Sequence, residues 1–81
     1  MANRNTLHLK HLDAFASYLT TRGFYPRPLT NCYERLRMRN GKQVVVLYQR
    51  NAAEQHLTVP DKNMPLVWAF LRARKEATPH A

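Results

Sequence analysis

This chain has very little cysteine. Cys32 is the only one among 81 residues, which excludes an intrachain disulfide and a zinc site built from several thiolates. Such sparing use of cysteine is typical of proteins from a reducing compartment. We therefore expect a cytoplasmic protein without a cofactor, held together by its hydrophobic core.

Long apolar runs are also missing. No stretch approaches the roughly 18 apolar residues of a membrane-spanning helix. No apolar run long enough for a signal peptide follows Met1–Asn5. We therefore expect no membrane partner. Hydrophobic residues make up 44% of the chain, an ordinary globular share. The length predicts one domain over residues 1–81, with an ordered core at about 6–76.

Acidic residues are scarce, so the chain is strongly basic. Five Asp and Glu face thirteen Lys and Arg, giving a net charge of +8. Nine of these cations are Arg, the side chain that pairs bidentately with phosphate and carboxylate. The few acids show no spacing that would make them converge on a catalytic metal. His8 and His11 are three residues apart but have no evident third ligand. This balance predicts an anionic partner, no metal site and no enzymatic activity.

The first half of the chain predicts a helix and a connector. Apolar residues recur at helical spacing over 7–21, with Thr6 or Asn5 as the N-terminal cap and Gly23 after the last turn. The residues of this apolar stripe are Leu9, Leu12, Phe15, Ala16 and Leu19. Two prolines within 24–31 exclude a helix and a central strand there.

Residues 33–48 predict a β-hairpin with one basic face. An Asn40-Gly41 turn joins two strands and places Arg39 opposite Lys42. Because strand side chains alternate, the sequence predicts two distinct faces. The core face would hold Cys32, Leu36, Met38, Val45 and Leu47. The basic face would hold Tyr33, Arg35, Arg37, Arg39, Lys42, Val44, Val46, Tyr48 and Arg50. Glu34 alternates toward the helix-covered face.

The remaining residues predict a third strand and a second helix. His56–Val59 would turn Leu57 and Val59 inward and end at Pro60. Asp61 or Asn63 would cap the helix, and Pro65 suits its first turn. Its buried stripe would be Leu66, Val67, Phe70 and Leu71. The predicted fold is therefore α+β with the order α-β-β-β-α, a three-stranded antiparallel sheet carrying two helices on one face, and an open opposite face.

The open basic face is the main candidate site. Its cations would contact phosphates, and Tyr33 and Tyr48 would contact sugars or bases. A second cationic group either extends this surface or is ordinary charge at a helix C-terminus; it consists of Arg72, Arg74 and Lys75. Met64 and Trp68, one helical turn apart, are either core residues or a protein contact.

Two resemblances add to this interpretation. The α-β-β-β-α order resembles the double-stranded RNA-binding domain over about residues 7–76. That family carries a lysine cluster at the start of its second helix, whereas 61–65 holds one lysine, which argues against RNA binding by that mode. The segments 31–37, 44–50 and 56–59 resemble small uncharacterised phage and prophage proteins. That resemblance implies an accessory protein that binds DNA or modulates a host complex.

Together these observations predict a non-enzymatic nucleic-acid-binding protein, of phage or prophage origin, that binds DNA or RNA through its Arg and Tyr sheet face. The alternative is a protein-binding inhibitor or modulator of a host nucleic-acid-processing or defence complex, whose acidic partner the same arginines would contact. Homodimerisation through the exposed valines and tyrosines of this face is compatible with both, because Val44 and Val46 favour burial.

Overall fold

The computed structural model describes the backbone of residues 5–77 and the side chains up to Arg74. Its elements in chain order are β1 (Thr6–His8), a 3₁₀ turn (Leu9–His11), α1 (Leu12–Thr21), β2 (Tyr25–Pro26), β3 (Glu34–Asn40), β4 (Gln43–Tyr48), β5 (His56–Thr58), a second 3₁₀ turn (Asp61–Asn63) and α2 (Met64–Ala77). All strand pairs are antiparallel, in the order β1-β5-β4-β3-β2. The predicted α+β class with two helices is confirmed. The predicted three-stranded sheet is wrong, because the described sheet has five strands.

The first additional strand, β1, replaces the predicted start of helix 1. Leu7 pairs with Leu57 of β5 and is 2% exposed. Pairing with β5 gives this segment both a backbone ladder and a place in the core, which outweighs its helical spacing. The Nδ1 atom of His8 accepts a hydrogen bond from the Lys10 amide at 3.0 Å and starts the 3₁₀ turn. Thr6 therefore does not cap a helix, and α1 begins only at Leu12. The element order thus differs from the α-β-β-β-α order of the sequence-based resemblance.

Helix α1 ends as its glycine predicts. Gly23 has a φ of +91°, its amide donates to the Thr20 carbonyl at 3.1 Å, and the Phe24 amide donates to the Leu19 carbonyl at 3.0 Å. These two bonds form a Schellman motif, which suits glycine at the left-handed position. The chain then enters β2, the second additional strand. Its proline is tolerated because β2 lies at the edge of the sheet.

The β3–β4 hairpin is offset by two residues from the predicted register. Asn40 pairs with Gln43, so the two central turn residues are Gly41 and Lys42. Gly41 has a φ of +60°, and glycine at the first central position is typical of a type II′ turn. An offset of two equals the strand period, so the side chains from Leu36 to Leu47 keep their predicted faces. Met38, Val45 and Leu47 are accordingly buried.

A β-bulge interrupts the alternation at the start of β3. Glu34 pairs with Tyr48, but Leu36 pairs with Leu47, which leaves Arg35 as the extra residue. The bulge moves Glu34 to the same face as Arg37, so its predicted place on the helix-covered face is wrong. Cys32 lies before the strand and is exposed, so its predicted place in the core is also wrong.

Both helices pack on one face of the sheet. The core consists of Leu7, Phe15, Leu19, Phe24, Met38, Val45, Leu47, Leu57, Val59, Met64, Val67 and Phe70. The Phe15 and Phe70 rings meet edge to face, with centroids 5.2 Å apart, which joins α1 to α2. In the predicted stripe of the second helix, Val67 and Phe70 are buried, Leu66 is half-buried and Leu71 is 38% exposed. The prediction that Leu71 is buried was therefore wrong.

Asn63 completes the sheet where β5 leaves it. Its Oδ1 atom accepts a hydrogen bond from the Val46 amide at 3.1 Å, and its Nδ2 atom donates to the Val44 carbonyl at 3.0 Å. The side-chain amide therefore bonds the free edge of β4 as a peptide group of a neighbouring strand would. Asn63 is 1% exposed, and α2 begins after it. Asn63, one of the two residues predicted to cap this helix, therefore uses its side chain to bond β4.

Candidate nucleic-acid interface

The sheet face turned away from the helices is the outer face. Cross-strand pairing places on it Thr6, His8, Tyr25, Glu34, Arg37, Arg39, Val44, Val46, Tyr48, His56 and Thr58. This face is not uniformly open. Val46 is only 5% exposed and Val44 is half-buried. The two valines were predicted to be solvent-exposed, and their actual burial removes that reason for dimerisation.

Two depressions interrupt the outer face. The first, which we call the tyrosine cavity, is open, has a volume of about 590 Å³ and is lined by Tyr33, Tyr48, Arg50 and Thr58. The second, which we call the arginine groove, has a volume of about 340 Å³ and is lined by Arg27, Pro28, Thr30, Arg37, Arg39 and Val44. Six residues of the predicted basic face therefore line these two depressions.

The backbone that carries Tyr33 is held from both sides, although it lies outside β3. The Tyr33 amide donates to Oδ1 of Asn31 at 2.8 Å, and its carbonyl accepts from the Gln49 amide at 2.7 Å. The Tyr33 side chain remains 54% exposed. Tyr48 lies within β4, between its partners Glu34 and Thr58. The two rings of the cavity are thus mounted on an ordered backbone before any ligand binds.

Arg50 reaches the cavity from a short loop that is ordered by its own polar residues. Nε2 of Gln49 donates to the Glu54 carbonyl at 2.7 Å, and Oδ1 of Asn51 accepts from the Ala53 amide at 3.0 Å. Arg50 is exposed, and its guanidinium has no hydrogen bond within the described chain. It is therefore a cation that remains available to an incoming anion.

One wall of the arginine groove holds a partly buried ion pair. The Arg37 guanidinium donates to both carboxylate oxygens of Glu34, at 3.0 and 2.6 Å. The side chain of Glu34 is 1% exposed and that of Arg37 is 26% exposed. The Thr30 hydroxyl and amide also donate to this carboxylate, at 2.6 and 2.9 Å. The pair therefore anchors the connector before β3 to the sheet.

Hydrogen bonds from Arg37 and Thr30 lower the pKa of Glu34 from 4.5 to about 2. The same contact with Glu34 raises the pKa of Arg37. The charge of Arg37 is thus largely compensated inside the protein. Its removal would leave a buried carboxylate without its cation, which is usually strongly destabilising. A variant at Arg37 would therefore confuse loss of binding with loss of structure.

The other predicted cations of the hairpin differ from Arg37. Arg39 donates through Nε to the Gly41 carbonyl at 2.6 Å and so supports the turn, while remaining exposed. Arg35 and Lys42 are exposed, and neither lines either depression. The structure thus does not bring the three alternating arginines into one equivalent row.

Sequence reasoning missed Arg27 as a member of the site. Its amide donates to the Arg37 carbonyl at 2.8 Å, which extends the pairing of β2 beyond Pro26. The sequence signal that could have identified it is its place between two prolines, which predicts an extended segment at the edge of the sheet. Because Pro28 follows it, this residue is confined to extended backbone.

The second cationic group lies away from the outer face. Arg72 and Arg74 belong to α2, in the layer that covers the opposite side of the sheet. The Arg74 guanidinium lies over the Phe70 ring, 5.6 Å from its centroid. Lys75 is within α2, but its side chain is outside the described residues.

Met64 and Trp68 have separate environments. Met64 is 7% exposed and packs in the core. Trp68 is 57% exposed on the solvent-facing side of α2, in the helix layer, where Leu71 is also partly exposed. The two residues therefore do not form one exposed pair, and only Trp68 remains a candidate protein contact.

The histidines are distributed differently from the prediction. His8 is in β1 rather than on a helix with His11, and its ring meets that of His56 edge to face with centroids 4.9 Å apart. His11 packs against Phe70. Burial lowers the pKa of His11, as do the nearby charges of Arg74, Lys10 and His8. Within the described part of the chain, no three His, Cys, Asp or Glu residues are grouped to hold a metal ion.

Comparisons with known proteins provide no functional assignment, so the proposal below depends on the geometry of the site. No protein-family model, curated protein or solved structure matches this chain. Neither α1 nor α2, as far as the structure describes them, is long and apolar enough to span a lipid bilayer.

Proposed function

We propose that this protein is a small, non-enzymatic nucleic-acid-binding accessory protein, encoded by a phage or prophage, that binds through its outer face. The observation that carries this proposal is the tyrosine cavity, with Arg50 at its wall, beside a groove that presents two exposed arginines. Aromatic rings provide stacking surfaces, and arginines provide phosphate contacts and release counterions.

The phosphate contacts are assigned to the cations that the fold does not compensate. Arg27 and Arg50 have side chains without a hydrogen bond within the described chain, and Arg39 donates only to a backbone carbonyl. Arg37 contributes mainly to structure through Glu34. Arg35 and Lys42 add to the positive potential around the groove, which steers an anionic polymer toward the face.

The test is a titration with labelled nucleic acid. Fluorescence anisotropy at two salt concentrations should show binding by the wild-type protein that weakens steeply with salt. Substitution of Arg27, Arg39 and Arg50 together by Ala should lower affinity at least about tenfold and reduce the salt slope by about 2 to 3, since each lost phosphate contact contributes about 0.7 on a single strand and about 0.9 on a duplex.

A charge-matched variant controls for the change in net charge. Lys10, Lys62 and Arg72 are exposed and line neither depression, so their joint substitution by Ala removes the same charge from other surfaces. This control should retain most of the affinity and salt slope. If both variants lose affinity equally, binding depends on net charge rather than on the outer face.

A second candidate function has its own supporting observation. Trp68 and Leu71 expose apolar surface on α2, on the side of the molecule opposite the tyrosine cavity. An exposed tryptophan is a frequent anchor of protein contacts, so the chain could instead modulate an acidic host protein. A stoichiometric partner that survives nuclease treatment and is lost with Trp68→Ala would favour this function. A partner lost with the nucleic acid would favour the first.

A further inference from the structure

We infer that the tyrosine cavity accepts an unpaired base, so that the preferred ligand is single-stranded nucleic acid rather than a duplex. This inference rests on the proposed function and specifies its ligand. It follows from the walls of the cavity, from the shape of the outer face and from the distance between the two depressions.

The walls of the cavity match a splayed-out nucleotide. Tyr33 and Tyr48 supply two aromatic surfaces, Thr58 supplies a hydroxyl, and Arg50 supplies an uncompensated cation. Every base has a π-face that an aromatic ring can stack on, and such stacking tolerates any sequence. In a duplex these faces are covered by neighbouring base pairs, and only the base edges are accessible. The tyrosine rings therefore gain most from an unpaired strand.

The shape of the outer face also disfavours a duplex. Reading of the major groove needs an inserted helix or a two-stranded ribbon. Both helices of the described chain are packed on the other side of the sheet. The β3–β4 turn has only two central residues, and β2 pairs with β3 as far as Arg39, so the hairpin does not project as a free two-stranded ribbon. A broad face with two depressions provides contact along a flexible strand instead.

The separation of the depressions suits a short stretch of nucleotides. Tyr48 of the cavity and Val44 of the groove are four residues apart on β4, which corresponds to about 13 Å at roughly 3.3 Å per residue. A strand with one base at Tyr48 can continue along β4 to Arg39 and Arg27. We expect a binding site of about four nucleotides, at the short end of single-strand sites on small domains.

The experiment compares a single strand with a duplex of the same sequence. Anisotropy titrations with labelled 12-nucleotide DNA and RNA, single-stranded and double-stranded, should show single-strand binding at least about tenfold tighter at equal salt. Tyr33→Leu and Tyr48→Leu should each weaken single-strand binding about 5- to 150-fold, the range for loss of one stacked base. Duplex binding should change little.

An aromatic control of matched exposure is present in the chain. Trp68 is 57% exposed and Tyr33 is 54% exposed, but Trp68 lies in the helix layer. Trp68→Leu should leave single-strand affinity unchanged. Because Tyr48 is within a strand, circular dichroism must first show that its variant folds. Tyr33 precedes β3, so its variant keeps the test valid if Tyr48→Leu unfolds.

A second readout locates the base directly. Photocrosslinking with a single strand that carries 5-iodouracil, followed by mass spectrometry, should identify Tyr33 or Tyr48. Equal or tighter duplex binding, or crosslinks confined to other residues, would overturn the inference while leaving nucleic-acid binding intact. Absence of binding to either form at low salt would instead contradict the proposed function itself.

Discussion

The arginine groove and the tyrosine cavity share one sheet face, but they hold their polar groups in opposite ways. In the groove, Arg37 is bonded to the buried carboxylate of Glu34, and Thr30 completes the contact. In the cavity, Arg50 has no hydrogen bond within the described chain, and the Tyr33 ring is half exposed. One region therefore maintains the fold, while the other leaves its side chains available.

This difference shows why a count of cations misjudges a binding surface. The alternation of three arginines along one strand predicts three equivalent ligand contacts. The fold instead places Arg35 in a bulge, pairs Arg37 with Glu34 and bonds Arg39 to its own turn. Internal partners and local irregularity decide how much of the charge in a sequence is available to a ligand.

The largest effect is expected from loss of the Asn63 side chain, which bonds β4, the strand that contributes a residue to each depression. Asn63→Ala would leave the Val46 amide and the Val44 carbonyl without their partner at the edge of β4. We expect the free energy of unfolding to fall by about 3 kcal/mol, since each buried unsatisfied group costs about 1–3 kcal/mol. Urea denaturation followed by circular dichroism measures this change.

Asn51→Ala is the matched control for that substitution. Asn51 is exposed and bonds only within its own loop, so its loss should cost less than about 1 kcal/mol. Comparable losses for the two variants would show that the side-chain amide of Asn63 does not support β4.

A second experiment isolates the contribution of the groove to stability. The folded-state pKa of Glu34 is about 2, below its ordinary value of 4.5. The stabilisation by Glu34 is therefore present above pH 4.5 and is lost as the pH falls toward 2. Unfolding free energies measured across this window should decrease more for the wild type than for Glu34→Gln. The comparison separates Glu34 from His11, whose lowered pKa affects both proteins alike. Parallel pH profiles would contradict the assignment.

The smallest effect is expected from a variant that leaves Arg37 of the groove uncompensated, as Arg50 of the cavity already is. Glu34→Gln removes the charge that compensates Arg37. Arg37 then becomes available to phosphate, so affinity for single-stranded nucleic acid should rise a few-fold and the salt slope should steepen by up to about 0.7. Asp13→Asn makes the same charge change on α1, remote from the outer face, and should leave the slope unaltered. An unchanged slope for Glu34→Gln would mean that the groove takes no phosphate.

Much of the core was predictable because it depends on local periodicity. Helical spacing identified Phe15 and Leu19, and strand alternation identified Met38, Val45 and Leu47. The strand at Leu7 was not predictable in this way. A three-residue strand has too few positions to show a period, and the leucines that follow it continue a helical spacing. Only its pairing with Leu57, far away in sequence, makes it a strand.

The site was predictable in its residue types but not in its arrangement. Alternation correctly placed Arg37 and Tyr48 on one face. The bulge that brings Glu34 to Arg37 depends on how β3 fits the whole sheet, and no local pattern marks it. The role of Asn63 was not predictable for the same reason. Its side chain bonds β4 because β5 pairs with β4 only at Tyr48 and leaves the rest of that edge free.

The pairing of β1 with β5 has a consequence for the order in which the molecule assembles. These strands join residues about fifty positions apart, whereas the β3–β4 hairpin closes through two turn residues. Closing the longer loop costs more entropy, so the hairpin can form first and the N-terminal strand is added late. During synthesis, Thr6–His8 has no partner until β5 has left the ribosome. Of the described strands, the one that comes first in the chain is therefore among the last to be placed.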